Sequence, residues 1–244
     1  MRLSNIPLSL QEEILQQAKE DRDALEQLCA KLRGMSDSAL EGAEIKSSTE
    51  QLHEQKAQYL AQNALYDRIG QKIRGRLEEM ETLLMKDPES PEEVDAALVR
   101  LAFLGVFVKR ISNWMLLNEM QYRTGTGELY LSIREVLDVY GMSGAYCEVR
   151  GDEEIEADTR HLMLAFEIFE LAIRAVYDHR ASVLVNIGTK KGFSMRISVD
   201  GAPLPGLDAL MPAGRSLRGG RLKRSEEDEV CYLSLSYERE EDEA

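Results

Sequence analysis

The sequence predicts an α+β protein in which long N-terminal helices, folded as a helical hairpin, precede an α/β sandwich. Two observations carry this. Apolar residues recur at helical spacing through the first half of the chain, whereas after Gly127 short β-rich runs joined by turn residues alternate with helices. Helices segregated from hairpin-connected strands are the signature of the α+β class.

From Leu10 to Leu32 the chain is rich in Gln, Glu, Lys, Leu and Ala, lacks Gly and Pro, and sets Leu25, Leu28 and Leu32 on one face. Gly34-Met-Ser-Asp-Ser38 is expected to interrupt this helix, leaving 1–38 as an N-terminal helical region. A second helix is expected from Leu40 to Met85, with Leu65, Ile69, Ile73, Leu77, Met80 and Leu84 in one stripe. Lys86-Asp-Pro-Glu-Ser-Pro91 breaks it, and Pro91-Glu-Glu is a suitable first turn for a helix over 91–122. Leu101, Leu104, Val108, Ile111 and Met115 follow at spacings of 3, 4, 3 and 4, as in a coiled-coil seam. A hairpin with two apolar stripes buries them by pairing with a second copy, so region 39–125 predicts a homodimer; packing against the following domain is the other solution.

Arg123-Thr-Gly-Thr-Gly127 is expected to be a hinge, which places the last domain at 126–244. There the sequence predicts a helix over 129–140, a strand over 144–150 and a helix over 157–177. Strands are expected at 181–187, 193–199 and 230–237, with a Gly-, Pro- and Arg-rich loop at 201–221 and an acidic solvated end.

Forty-four Asp and Glu against 30 Lys and Arg give a net charge of −14 and a pI near 4.8. Nucleic acid and anionic membrane are excluded as partners, because affinity for either needs clustered cations. The longest apolar run, Leu101 to Val108, is far shorter than the roughly 20 residues of a membrane span. The N-terminus lacks an apolar secretory segment, and Cys29, Cys147 and Cys231 are odd in number and widely spaced. Both point to a cytoplasmic location and reduced cysteines that pack rather than react.

Tyr66-Asp-Arg-Ile-Gly-Gln71 is the most informative hexapeptide. Asp67 and Gln71 stand one turn apart on one helical face beside Tyr66, a carboxylate and an amide placed to take a proton and orient a water. Gly70 costs about 1 kcal/mol inside a helix and asks for a reason, such as close approach of another surface. The alternative is a solvated helix face.

With the order of elements, this box resembles the cytoplasmic part of sensor histidine kinases whose phosphoacceptor helix carries His-Asp-x-x-Gly-Gln. Asp67, Gly70 and Gln71 match, and Tyr66 stands at the phosphoacceptor position. The later half is similar to the family's GHKL-type ATP-binding domain. Glu170, Ala175, Ala181 and Ser182 align with its asparagine box, with Arg174 at the place of the Mg²⁺-binding asparagine. Asp200 and Gly201 fall on the adenine-binding loop, although Gly201 comes one place early, and Gly214 lies in the segment 212–220 that stands for the glycine-rich lid.

The resemblance implies a two-component signalling protein, with ATP and Mg²⁺ as the family's ligands and a response regulator or a partner histidine kinase as binding partner. The departures argue against kinase chemistry: Tyr66 offers no imidazole, and Arg174 puts a cation where Mg²⁺ would bind. The expected function is therefore that of a pseudokinase acting by binding, with Asp67 and Gln71 as a response-regulator phosphatase pair. Two readings stay open beside it, an active ATP-dependent kinase with atypical ligands and a coiled-coil adaptor.

Other features have plainer readings. His53, His161 and His179 lack zinc-site spacing and are expected at the surface or in caps. Leu162, Phe166, Phe169 and Ile173 are expected core, and Trp114 is expected in the core or at the dimer interface. The run Arg215 to Arg224 holds five cations in ten residues; it reads either as a phosphate-binding or acidic-partner segment, or as a mobile loop balanced by Ser225 to Glu229.

Overall fold

The computed structural model describes residues 8–190, 192–213 and 215–238, with few side chains described before Leu52. The side chains of Leu25, Leu28, Cys29 and Leu32, as well as Gly214 and the acidic end 239–244, lie outside the described residues. The chain divides into two compact units, Met1–Ala64 and Leu65–Ala244, and the expected boundaries after 38 and 125 do not coincide with this division.

Helix α1 runs without a break over Leu8–Leu84, so the interruption expected at Gly34 to Ser38 is not seen. One glycine and two serines cost a helix about 1–2 kcal/mol together, too little to stop propagation between long flanks of Glu, Gln, Lys, Ala and Leu. Within the first unit this helix is the only regular element among the described residues.

The second unit begins with the C-terminal part of α1. Helix α2, Pro91–Met120, starts as the sequence predicts: Pro91 occupies the first turn, and the Ser90 hydroxyl accepts from the Glu93 amide at 3.2 Å. Its buried residues are Phe103, Leu104, Phe107, Ile111 and Trp114; all but Leu104 join the core formed with later helices of the same chain. Trp114 is therefore core.

The expected hinge at 123–127 is instead ordered secondary structure. Strand β1, Arg123–Gly125, pairs antiparallel with β3, Glu156–Asp158, and Thr126 opens helix α3, Thr126–Gly141. The Thr124 and Thr159 hydroxyls share a buried 2.8 Å hydrogen bond, and the Thr126 amide donates to the Ile155 carbonyl. The glycines serve close packing: a Cβ at Gly125 or Gly127 would meet the Glu154 carboxylate at 2.1 or 2.7 Å.

Five strands form the main sheet: β2 (Cys147–Gly151), β4 (Ser182–Gly188), β5 (Gly192–Asp200), β6 (Gly220–Glu227) and β7 (Val230–Glu238). Their order is β2-β4-β5-β7-β6, with β2 and β4 parallel and all other neighbours antiparallel. Helix α4, Thr159–Val176, makes the crossover between the two parallel strands, as such a connection requires. Strand β6 is a correction to the sequence reading, in which its residues were a basic loop and an acidic counterweight. It is an edge strand, and charged outward residues are how an edge avoids pairing with another chain. The preceding segment is also more ordered than a loop: it carries the short helix α5, Leu207–Leu210, with Ala202, Leu204 and Leu210 buried.

One sheet face is apolar and covered. Val183, Val185, Ile187, Met195, Ile197, Val199, Leu233 and Leu235 pack with Leu162, Phe166, Phe169 and Ile173 of α4 and Ile133, Val136 and Tyr140 of α3. The predicted α4 core residues are all 0% exposed. The other face carries Ser, Asn, Arg and Lys, together with Glu148, Leu184 and Tyr232.

Candidate functional site

The side of α4 turned from the sheet meets the last turns of α1. Three positions on each helix pair in the same order along the chain. Lys72 Nζ lies 3.0 Å from Glu167 Oε1, Arg76 donates from Nε and Nη2 to the two oxygens of Glu170 at 2.5 Å each, and Arg174 Nη2 lies 2.9 Å from Glu79. The signs run plus, plus, minus on α1 and minus, minus, plus on α4, at spacings of 4 and 3 that keep each triplet on one face.

Two neighbours extend the ladder. Arg215 reaches Glu167 at 3.1 Å from the segment after α5, and Arg100 of α2 binds Glu79 at 2.5 Å while stacking on the Tyr177 ring at 4.2 Å. Glu167 and Glu170 are 2% and 1% exposed. A buried carboxylate costs several kcal/mol unless a charge and hydrogen bonds replace its water, and the Arg fork supplies both for Glu170. Arg76 is itself fixed by donating from Nη1 to the Lys72 carbonyl at 2.6 Å. Glu167 is less complete: its Oε2 is buried with no hydrogen-bond partner.

This arrangement bears directly on the positions that sequence singles out. Glu170 has both oxygens held by the Arg76 guanidinium, so a metal ion there would have to compete with a cation already in place. Arg174 is turned to Glu79. Asp200 and Gly201 end β5 at an exposed turn, where Gly201 has φ of +88°, a conformation glycine adopts without strain. No hydrogen bond or ion pair among the described residues joins Asp200 to the ladder. Gly214 lies outside the described residues.

The other predicted constellation is separate from the ladder along α1. Tyr66, Asp67 and Gln71 are exposed, with Tyr66 at 55%, and Arg68 beside them pairs with Glu119 of α2 at 2.9 Å. An added methyl at Gly70 would meet nothing within 4 Å, so the close approach expected there is not seen.

Sequence reasoning missed Lys72, Arg76, Glu79, Arg100 and Glu167. The signal was the mirrored charge order of the two triplets, which becomes readable only once α1 and α4 are known to face each other. The described histidines and cysteines behave as packing and surface groups. His161 stacks on Tyr237 with ring centroids 3.8 Å apart, Cys231 is buried, and burial pushes the Cys147 thiol above its ordinary value. No group of three or more His, Cys, Asp and Glu that could hold a metal occurs among the described residues. None of the described helices is long and apolar enough to cross a membrane.

No family model and no curated protein matches this sequence. Among solved structures, the chain is similar to a bacterial phosphotransferase, with 13% identity over 70% of this chain and 93% of that one and a TM-score of 0.44. It is also similar to the Acinetobacter baumannii histidine kinase AdeS, with 11% identity, coverage of 70% and 94%, and a TM-score of 0.36. A third is the histidine kinase domain of a blue-light-activated kinase from Erythrobacter litoralis, with 12% identity, coverage of 68% and 94%, and a TM-score of 0.39.

Proposed function

We propose that this chain is a histidine-kinase-like signalling protein that acts by binding a response regulator or a partner kinase, not by transferring phosphate from ATP. The observation that carries the reading is the pairing of Glu170 with Arg76, flanked by Arg174 with Glu79. The two residues aligned with the nucleotide-binding helix are committed to α1, and a metal-bound triphosphate there would have to displace a bidentate buried ion pair. Phosphoryl transfer needs a metal to neutralise the phosphates, and Arg174 supplies the wrong charge to hold one.

The exposed group Tyr66, Asp67 and Gln71 supports a second element of the proposal. A partner docked on this stretch of α1 would meet a carboxylate and an amide one turn apart, suited to activating and orienting water against a phosphorylated aspartate. A homodimer through the helical hairpin completes it, because Leu77, Leu84, Val94 and Leu98 remain 39–70% exposed.

Nucleotide binding is the deciding experiment. Millimolar Mg-ATP is expected to leave the thermal midpoint unchanged; a rise of several degrees would refute the binding-only reading, since a ligand at 100 times its Kd adds about 2.7 kcal/mol. Incubation with a phosphorylated response regulator tests the phosphatase element. Faster loss of phosphate with the natural chain than with Gln71→Ala is expected, and equal rates would remove Asp67 and Gln71 from the mechanism.

A further inference from the structure

The sheet face not covered by helices carries a row of side chains at one register. Arg150 of β2 pairs with Asn186 of β4, Asn186 with Arg196 of β5, Arg196 with Ser234 of β7, and Ser234 with Lys223 of β6. The row holds three cations and no carboxylate in a chain of net charge −14. Ser194, Ser236 and Arg221 stand in the next row, and a shallow cavity of about 480 Å³ lies over the β2, β4, β5 and β7 part of both rows, with one carboxylate, Asp152, in its lining at the β2 end. Arg150 and Arg221 are 62% and 70% exposed, Arg150 is held by two 2.8 Å hydrogen bonds to the half-buried Glu148, Arg221 faces the exposed Glu238 at 3.4 Å, and Arg196 lies over the Tyr232 ring at 4.3 Å. The single-contact pair of Arg221 with Glu238 is weak in water, and Arg196 and Lys223 have no carboxylate in their row, so an incoming anion meets little competition there.

The spacing of the cations identifies the kind of anion. Neighbouring strands are about 4.8 Å apart, so the Cα atoms of Arg150, Arg196 and Lys223, each two strands from the next, stand about 10 Å apart in a row. Cations carried at this spacing match an extended segment in the polyproline II form, whose side chains return to the same face every three residues, about 9.3 Å. The Asn186 amide and the Ser234 hydroxyl lie between the cations, and Ser194 and Ser236 lie beside them in the next row, as hydrogen-bond partners for its backbone, which that form leaves unpaired.

We propose that this open sheet face is a docking surface for an acidic, extended segment of a partner protein, laid across the strands with a carboxylate at every third residue. It is distinct from the α1 surface assigned above and does not depend on it.

Fluorescence anisotropy with a labelled peptide of three Glu-Pro-Ser repeats tests this on the full chain. Binding that weakens with salt is expected, together with a loss of about tenfold or more in R196E/K223E and a smaller loss in R196Q/K223Q. R134E, a charge reversal elsewhere on exposed α3, should bind like the natural chain, and thermal unfolding of every variant should match it. A peptide of the same composition with its three Glu adjacent should bind several-fold more weakly. The proposal is overturned by no binding at millimolar chain, by affinity unchanged in both double variants, or by displacement with millimolar inorganic phosphate, which would mark a compact anion site. A requirement to delete residues 239–244 before the peptide binds would equally overturn it, since the chain's own acidic end would then be the occupant.

Discussion

Arg76→Met is the sharpest test of the ladder, because it removes charge and hydrogen bonds while keeping most of the side chain's volume. Glu170 is 1% exposed and both its oxygens accept from Arg76, so the variant leaves a carboxylate buried without its partner. Breaking a buried pair from one side costs about 3–5 kcal/mol. In a unit of 150–250 residues each kcal/mol moves the thermal midpoint by about 2–4 °C, so a fall on the order of 10 °C is expected. The companion R76M/E170M replaces both partners with apolar groups and should recover most of that loss, since such exchanges are commonly neutral or stabilising. Urea unfolding of the natural chain, both single variants and the double variant gives the coupling energy directly. A cost for Arg76→Met below about 1 kcal/mol would refute the reasoning, because it would mean that Glu170 finds water or another cation once Arg76 is gone.

Three further outcomes follow from the packing. Gly220→Ala would bring its Cβ to 2.5 Å from the Tyr237 ring, which is itself buried and stacked on His161, so a loss of about 1–3 kcal/mol is expected by urea unfolding. Asp158 caps α4 by accepting from the Arg160 amide at 2.8 Å; burial pushes its pKa up, but the Arg160 guanidinium and amide and the Tyr122 hydroxyl outweigh this and bring it down to about 2. Its folded pKa lies below the unfolded value of 3.8, so its contribution is present above about pH 4 and is lost as pH falls towards 2, and Asp158→Asn should show a shallower acid decline over that window. Finally, Leu77→Asp with Leu98→Asp places charges on the exposed hairpin face and should shift the chain from dimer to monomer in sedimentation; an unchanged sedimentation coefficient would remove that face from the interface.

What the sequence made legible was whatever depends on local periodicity. Pro91 and Ser90 marked the start of α2, alternating Val183, Val185 and Ile187 marked β4, and the spacing of Leu162, Phe166, Phe169 and Ile173 marked the buried face of α4. What it hid depends on distant partners. The glycines of 123–127 looked like a hinge because their reason, the carboxylate of Glu154, lies almost thirty residues away. β6 was obscured because an edge strand carries the charges of a loop, and its pattern of Leu222 and Arg224 inward against Arg221 and Lys223 outward is too short and too basic to stand out. Lys72, Arg76 and Glu79 looked like an ordinary solvated helix face, because nothing local shows that nearly a hundred residues later a complementary triplet stands opposite.

The sign order of that contact also sets what motion it permits. If α1 slid by one turn along α4, about 5.4 Å, Glu79 would come opposite Glu170 in one direction, and Arg76 would come opposite Arg174 in the other. Either step confronts one pair of like charges and keeps one pair of opposite charges, Arg76 with Glu167 or Lys72 with Glu170, where three ion pairs stood before. The observed register is therefore favoured over both neighbours, since it alone pairs all three positions. Sliding of α1 past α4 is thus opposed at each step, and the contact favours being either wholly made or wholly parted over any displacement between.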